Sequence, residues 1–293
     1  MKSFIAARAE GDSVWAELTE SSHRMLGGQS RHITRAAAVT ELIMLTLDIV
    51  DDLQDRDKAY RIWMQCPESF TLNAVLAFLM AFMNEVGQLQ LHISHTAPLL
   101  TTEVSQLVLF AVNGQQKDLN PLVNISDEED YFSMVQQKSG SLIRLACYLG
   151  YSLTESSSEI TERIDDLAYY LGVIAQIDND VNNLMQFNMG NDLLQRKRTL
   201  PILCMLAQAR DSFPELIQYY EGEQDPEAFI QQHKQASLIT IADSGCLEYA
   251  RIIQSLYYDK AERLFESIPG EPLWRERFRR ATIGRFGASH VGK

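Results

Sequence analysis

The densest chemistry in the sequence lies at Asp48-Ile49-Val50-Asp51-Asp52-Leu53-Gln54-Asp55-Arg56-Asp57, five carboxylates within ten residues. Asp51 and Asp55 are four apart, so on a helix their Cβ atoms stand about 5–6 Å from each other and repel unless a cation lies between them. Mg²⁺ suits such a pair, because it takes oxygen ligands, keeps several waters and is usually completed by substrate phosphate. The plain alternative is a solvated acidic helix end, which the helix dipole disfavours at a C-terminus. A second cluster interrupts an apolar run at Gln176-Ile177-Asp178-Asn179-Asp180-Val181-Asn182-Asn183. Here Asn179 and Asn183 share a helix face with Asp180 beside them, and Asp178 is a further oxygen donor for a second metal locus. The segment Asp192-Leu193-Leu194-Gln195-Arg196-Lys197-Arg198-Thr199-Leu200-Pro201 then brings cations that could meet an anionic leaving group, although Arg196-Lys197-Arg198 alone reads as an exposed loop. His92 and His95, at i and i+3, would suit zinc only with a third ligand, and none is in view.

These residues need rigid elements to hold them, and the apolar pattern supplies helices almost throughout, with no alternating β-branched runs of strand length. The stretch Arg35–Val50 is apolar nearly all round in its second half, as expected of a helix inside a bundle. At ~1.5 Å per residue it is about 24 Å long and runs directly into the acidic segment. Further helices are predicted at 70–93, 98–117, 128–150, 159–188, 199–211, 226–243, 246–267 and 271–285. Asn120-Pro121 ends one helix, and Ser126 with Glu129 makes a capping box for the next. No Ser/Gly/Pro-rich linker divides the chain, so residues 1–293 are expected to form one all-α domain.

The formal charge of −13 argues against a nucleic-acid partner, which needs a basic surface. Cys66, Cys147, Cys204 and Cys246 are too far apart for a zinc ribbon or a disulfide framework and are expected to be buried thiols. The first ten residues lack the apolar stretch of a signal peptide, and no later run is expected to reach the ~18 apolar residues of a spanning helix. A cytoplasmic location is the default expectation, with a peripheral position at the inner face of the membrane as its variant.

In order along roughly residues 25–205, four segments resemble motifs of the trans-prenyl diphosphate synthase superfamily, the class I isoprenoid enzymes. Asp51-Asp52-Leu53-Gln54-Asp55 is similar to its first Asp-Asp-x-x-Asp, and Gly114-Gln115-Gln116-Lys117-Asp118 to its Gly-Gln-x-x-Asp. Lys138-Ser139-Gly140-Ser141-Leu142 stands where that family has Lys-Thr-Gly-x-Leu, and Lys197-Arg198-Thr199-Leu200-Pro201 resembles its Lys-x-Thr-Leu-Pro. The resemblance implies an isoprenoid-synthase-like helical bundle with a central donor cavity. It implies a catalytic set in which Asp51, Asp52 and Asp55 bind Mg²⁺ bridging a diphosphate that Lys138 and Lys197 contact directly. Gln115, Asp118, Gln176 and Arg61 would line the substrate, with Thr46 and Leu47 one turn above Asp51 flanking the prenyl chain. A homodimer is implied as well. Without the resemblance, Lys138 and Gln115 read as ordinary helix-surface residues.

Two departures from that pattern bear on the reaction. The second metal motif reads Asn179-Asp180-Val181-Asn182-Asn183, with two carboxylates of the usual Asp-Asp-x-x-Asp become carboxamides. Near the N-terminus the family's Gly-Gly-Lys-x-x-Arg, which grips isopentenyl diphosphate, reads Gly27-Gly28-Gln29-Ser30-Arg31-His32, and Tyr60 replaces the first arginine of a later pair. A site for a second diphosphate should not lack its principal charges, since charge-assisted contacts are the strong ones. The acceptor is therefore expected to be another nucleophile. The runs Leu47–Asp57, Ile62-Trp63-Met64, Leu72-Asn73-Ala74, Lys138–Ile143 and Gly172–Ile177 resemble the ComQ-type tryptophan prenyltransferases of bacterial quorum sensing. That likeness implies transfer of a geranyl or farnesyl group from its diphosphate to indole C3 of a tryptophan in a precursor pheromone peptide, with ring closure through the main-chain nitrogen. Trp63 and Met64 read equally as core. The rival readings are a chain-elongating synthase, a terpene cyclase, and a non-catalytic subunit of a heteromeric synthase, the last opposed by the intact Asp51, Asp52, Asp55, Lys138 and Lys197.

Overall fold

The computed structural model describes residues 1–11, 13–56, 58–93, 99–121, 125–186, 191–222 and 224–287; Asp57 and His95 lie outside the described residues. Among the described residues every regular element is helical. In chain order they are α1 (Lys2–Ala9), α2 (Val14–Met25), α3 (Ile33–Asp55), α4 (Glu68–Gln90), α5 (Leu100–Leu119), α6 (Glu128–Val135), a π-turn (Gln136–Gly140) and α7 (Ser141–Tyr151). There follow α8 (Ser158–Gln186), α9 (Leu200–Ser212), α10 (Pro214–Tyr220), α11 (Pro226–Asp243), α12 (Cys246–Glu266), α13 (Pro272–Ala281) and α14 (Ile283–Gly287). By packing, the chain groups into two units. The first is Met1–Leu109, Ser141–Ala168 and Arg263–Lys293; the second is Phe110–Gly140 and Tyr169–Glu262.

The first unit is built around α3. Ile33, Ala36, Val39, Ile43 and Met44 pack with Phe82, Val86 and Leu89 of α4, Leu100, Val104 and Leu107 of α5, and Leu145 and Leu149 of α7. Burying side chains of this size stabilises by about 1.5–3 kcal/mol each, which is what fixes the helix that carries the acidic residues. A second cluster, Phe4, Leu45, Ile49, Trp63, Ala74, Val75 and Phe78, closes over the last turns of α3. The helix does not stop at Val50, where the apolar run ends, but continues through Asp55. The acidic residues thus occupy its own final turns. By length and composition α4 is apolar enough to span a membrane, contrary to the sequence expectation, although its inner face packs in both clusters.

In the second unit one core joins α6, α8 and α12 through Tyr131, Met134, Val135, Val173, Ile177, Val181 and Ala250. The other joins α9, α10 and α11 to the segment around Leu193 and Leu194. Three local expectations are corrected here. The predicted helix 128–150 is broken by the π-turn at Gln136–Gly140, against which the helices bearing Gly114 and Gly172 pack closely. The cap of α6 is Asp127, whose carboxylate accepts from Asp130 N–H at 3.0 Å, while the Asp130 carboxylate accepts from Ser126. The capping box is shifted one residue because Asp127 is the residue in extended conformation. Of the cysteines, Cys147 and Cys246 are buried, whereas Cys66 and Cys204 are half-buried.

The sequence reading also passed over α1, α2 and α10. In α2 the stripe Thr19, Ser22 and His23 is fully buried, a polar face that hydropathy does not flag. Thr19 Oγ1 donates to Ala146 O, and His23 Nδ1 pairs with Gly150 O at 3.0 Å while its Nε2 accepts from Ser30 N–H at 3.1 Å. Both imidazole nitrogens are thereby used by a neutral ring, and burial, reinforced by Arg24, holds His23 below the usual histidine value against the opposing pull of Gly150 and Glu20. The unfolded chain then binds the proton more readily than the folded one. Stability is accordingly full above about pH 6.5 and declines as pH falls through the range from there to the depressed folded value. Melting temperatures compared at pH 7.5 and 5.5 should fall on acidification, with a shallower fall in His23→Gln; an unchanged slope would remove this role.

Candidate active site

The acidic turn of α3 belongs to the first unit. Asp52 is 2% exposed. Its Oδ1 accepts from Lys58 Nζ at 2.8 Å and its Oδ2 from Trp63 Nε1 at 2.8 Å. Asp48 is bound by Arg8 at 2.7 Å. Two of the crowded carboxylates are therefore neutralised by cations of the chain itself, which the sequence reading did not anticipate. Asp51 and Asp55 are half-buried and remain one turn apart, and α3 ends immediately after them at Arg56, whose φ of 54° is left-handed. Of the other expected residues in this unit, Thr46 is fully buried and donates to Leu42 O at 2.6 Å, and Leu47 packs on the main core. Arg61 is exposed, its guanidinium 5.5 Å from the Tyr60 ring centre and 5.4 Å from that of Trp63. His92 stacks on His32 with ring centres 3.8 Å apart.

The second unit holds the lysines. Lys138 lies in the π-turn, which is pressed from two sides by helices that carry glycine at the contact. A Cβ at Gly114 would come 2.3 Å from Lys138 N, and one at Gly172 would come 2.7 Å from Gly140 Cα and N. This close approach delivers Lys138 Nζ to Asp118 Oδ2 at 2.6 Å, with Lys197 Nζ 3.6 Å from the same oxygen and 3.8 Å from Asp192 Oδ1. Ser139 Oγ donates to Gln176 Oε1 at 2.8 Å, Gln176 Nε2 donates to Asp180 Oδ1 at 2.7 Å, and Tyr131 OH donates to Asp180 Oδ2 at 2.6 Å. Gln115 is half-buried next to Gly114. Overpacking a close contact of this kind costs about 1–3 kcal/mol, so Gly172→Ala is expected to lower the melting temperature and to loosen the Lys138–Asp118 contact. A variant with a wild-type melting curve would show that the π-turn has room.

Lys197 is held by its own segment. Tyr219 OH donates to Leu194 O at 2.6 Å, Tyr220 OH to Lys197 O at 3.1 Å, and Arg198 to Ile125 O at 3.1 Å. Arg196, at φ 54°, lies over the Tyr219 ring at 4.5 Å. The three basic residues are half-buried rather than an exposed loop, because these tyrosines anchor their backbone. The second motif is divided in use. Asp180 faces Tyr131 and Gln176, Asp178 accepts from Asn182 at 3.1 Å, Asn179 is exposed, and the Asn183 side-chain oxygen accepts from Asp192 N–H at 2.7 Å. Tyr131 was missed from sequence, because a tyrosine on a helix reads as core, and Asp192 was read only as the head of the basic segment and given no role of its own.

The charges of this unit do not balance. Burial works to raise the Asp118 carboxyl, but the ammonium groups of Lys138 and Lys197 outweigh it and hold it below the usual range. Asp180 has neutral donors, and burial followed by the nearby Asp192 pushes its carboxyl up to about 7 despite those hydrogen bonds. A buried acid so perturbed would be relieved by a cation brought close to it. Among the described residues no group of three His, Cys, Asp or Glu side chains is gathered as a complete metal site. In the first unit Asp51 and Asp55 fit a hard divalent cation only if water and a ligand's phosphate complete its shell, as Mg²⁺ allows, and in the second unit the same holds of Asp180 taken by itself.

Comparison with known proteins agrees with this chemistry. The family model described as polyprenyl synthetase matches residues 7–236. The chain is 29% identical over 262 residues to tryptophan prenyltransferase ComQ of Bacillus subtilis (strain 168), covering 87% of this chain and 82% of that protein. It is 27% identical over 286 residues to geranylfarnesyl diphosphate synthase of Aeropyrum pernix, covering 89% and 85%. A solved polyprenyl synthase from Caulobacter crescentus CB15, complexed with calcium and isoprenyl diphosphate, shares the fold with a TM-score of 0.72 at 21% identity, over 98% of this chain and 89% of that one.

Proposed function

We propose, from the premise that the chain belongs to the polyprenyl synthetase family and is a prenyltransferase, that it transfers a geranyl or farnesyl group from its diphosphate to a tryptophan of a precursor pheromone peptide. The observation that carries the acceptor assignment is the turn at 27–32. Gly27 has a φ of 79°, and a Cβ on Gly28 would lie 2.3–2.5 Å from the His23 ring. The glycines therefore serve the turn itself, folding it over a buried histidine. Arg31 Nε donates to His32 Nε2 at 3.2 Å, and the remaining position is the neutral Gln29. Together with Arg61 stacked on aromatic rings, this arrangement supports an acceptor that carries no diphosphate. The relatives divide between ComQ and elongating synthases, so the acceptor is what experiment must decide.

In this reading residues 1–293 act as one catalytic domain. In the second unit Lys138 and Lys197 hold the diphosphate, Gln115 and Gln176 contact the substrate and Asp180 is a Mg²⁺ ligand; in the first unit Asp51 and Asp55 are Mg²⁺ ligands. Bound Mg²⁺ would neutralise the charge that grows on the diphosphate as the allylic C–O bond breaks. The diphosphate leaves with the bonding pair. Indole C3 supplies the π electrons for the new C–C bond, and attack by the main-chain nitrogen on C2 closes the ring with loss of its proton. Thr46 and Leu47 flank the prenyl chain. The exposed stripe Leu72, Leu76 and Met80 on α4 supports a homodimer, which light scattering reads directly. We assign the enzyme to the cytoplasm, and fractionation of cells tests that.

The test is to incubate the purified protein with Mg²⁺ and geranyl or farnesyl diphosphate, adding in separate reactions isopentenyl diphosphate and tryptophan-containing peptides. A prenyl mass on the peptide supports the reading. Longer prenyl diphosphates with isopentenyl diphosphate would instead make the protein an elongating synthase and refute the argument from Gln29 and His32.

A further inference from the structure

The acidic turn of α3 is held by something outside the motif. Asp52 has both oxygens taken, by the Lys58 ammonium and the Trp63 indole N–H, each at 2.8 Å, and is 2% exposed. A hydrated Mg²⁺ that keeps its waters has no approach to such a carboxylate. Nor does the arrangement add much to stability, since a buried charge with its partners is often no better than apolar packing of the same volume. What it does supply is orientation. The Trp63 indole N–H, on a buried ring, and the Lys58 ammonium fix Asp52 at the end of α3, and its own carbonyl accepts from Arg56 N–H at 3.0 Å, where the chain turns left-handed and the helix stops.

Trp63 is itself anchored from several directions. It is 3% exposed, Phe4 of α1 meets it edge-on with ring centres 6.0 Å apart, and its carbonyl accepts from Thr71 Oγ1 at 2.9 Å. Arg61 covers its face. A tryptophan used only to fill space needs no partner for its N–H at a carboxylate; this one directs that group at the residue between Asp51 and Asp55. We infer that Trp63 is a positioning residue for the metal-binding turn, acting through Asp52 so that Asp51 and Asp55 keep the geometry that metal and diphosphate require. This rests on the metal and donor roles proposed above. Partners of this outer kind typically change metal affinity or activity by about 10–100-fold when removed.

The test measures binding, not turnover. The full chain is titrated by calorimetry with the thiolo analogue of geranyl diphosphate, which does not ionise, at several Mg²⁺ concentrations and in EDTA. Trp63→Phe keeps the ring and deletes the N–H, and is expected to raise the Mg²⁺ concentration needed for half-maximal binding about tenfold. Lys58→Met, which removes the other donor from a half-exposed position, should shift it in the same direction. Val75→Ala, in the same apolar cluster, should lower the melting temperature without moving the Mg²⁺ requirement. Combined with Asp52→Asn, Trp63→Phe should add little further, because the two act on one contact. Trp63→Phe with the wild-type Mg²⁺ requirement, or effects that simply add, would overturn the positioning role while leaving the donor site standing. Wild-type binding indifferent to Mg²⁺ would overturn the metal reading and this inference with it.

Discussion

Asp51→Ala is expected to lower prenyl transfer by about 10³-fold, with the fold intact. Asp51 is half-buried at the end of α3, and the apolar clusters that hold that helix are made by other residues. Its removal relieves a carboxylate from the helix terminus where the dipole disfavours one, and thermal stability should hold or rise by a few tenths of a kcal/mol. The chemical cost falls elsewhere. Departure of diphosphate concentrates negative charge that preorganised cations must meet, and deleting one such group typically costs about 10²–10³-fold, near 4 kcal/mol at the upper end. Rates measured with saturating donor, alongside melting curves, separate the two effects. A variant that loses stability and rate in parallel, or keeps its rate, would remove Asp51 from the metal set.

Asp118→Ala should cost most in stability. Its carboxylate is 5% exposed and sits against two ammonium groups, at 2.6 Å and 3.6 Å. Removing one partner of a buried pair leaves charge unpaired, at a cost of about 3 kcal/mol before any relaxation. Lys138 and Lys197 would then lose the shared anchor that holds both ammonium groups together, so donor binding should weaken as well. Because Asp118 is held below the usual carboxylate range, its stabilising share is complete above the unfolded value. It is lost only as the pH falls through the depressed folded one. Denaturant midpoints of wild type and variant at neutral and acidic pH would therefore converge as acid is added. Parallel curves across that range would show that the anchor is not electrostatic.

Much of this was legible before the structure. The helices with a strong apolar stripe were found at close to their observed places, because burial and period report the same physics. Those passed over are short, like α10, or polar inside, like α2, whose buried face is Thr19, Ser22 and His23. At the site, the spacing of Asp51 and Asp55 and the motifs around Lys138 and Lys197 were readable, since each is local in sequence. The bonds that organise them are not local: Trp63 to Asp52, Tyr131 to Asp180, Asp118 to two lysines, Asn183 to the backbone of Asp192. Composition and period report no contact made across nine or more residues between two polar groups, or between a carboxylate and a ring assigned to the core.

The contact of Asn183 with Asp192 also constrains which residue position 183 can carry. An aspartate at 183 would still accept from the Asp192 amide, yet it would add a third carboxylate to a neighbourhood where burial and Asp192 already push the Asp180 carboxyl up to about 7. The carboxamide has thus become something its surroundings lean on. Asn183→Asp would therefore carry an electrostatic penalty that a compensating change at Asp192 or an added cation would have to offset.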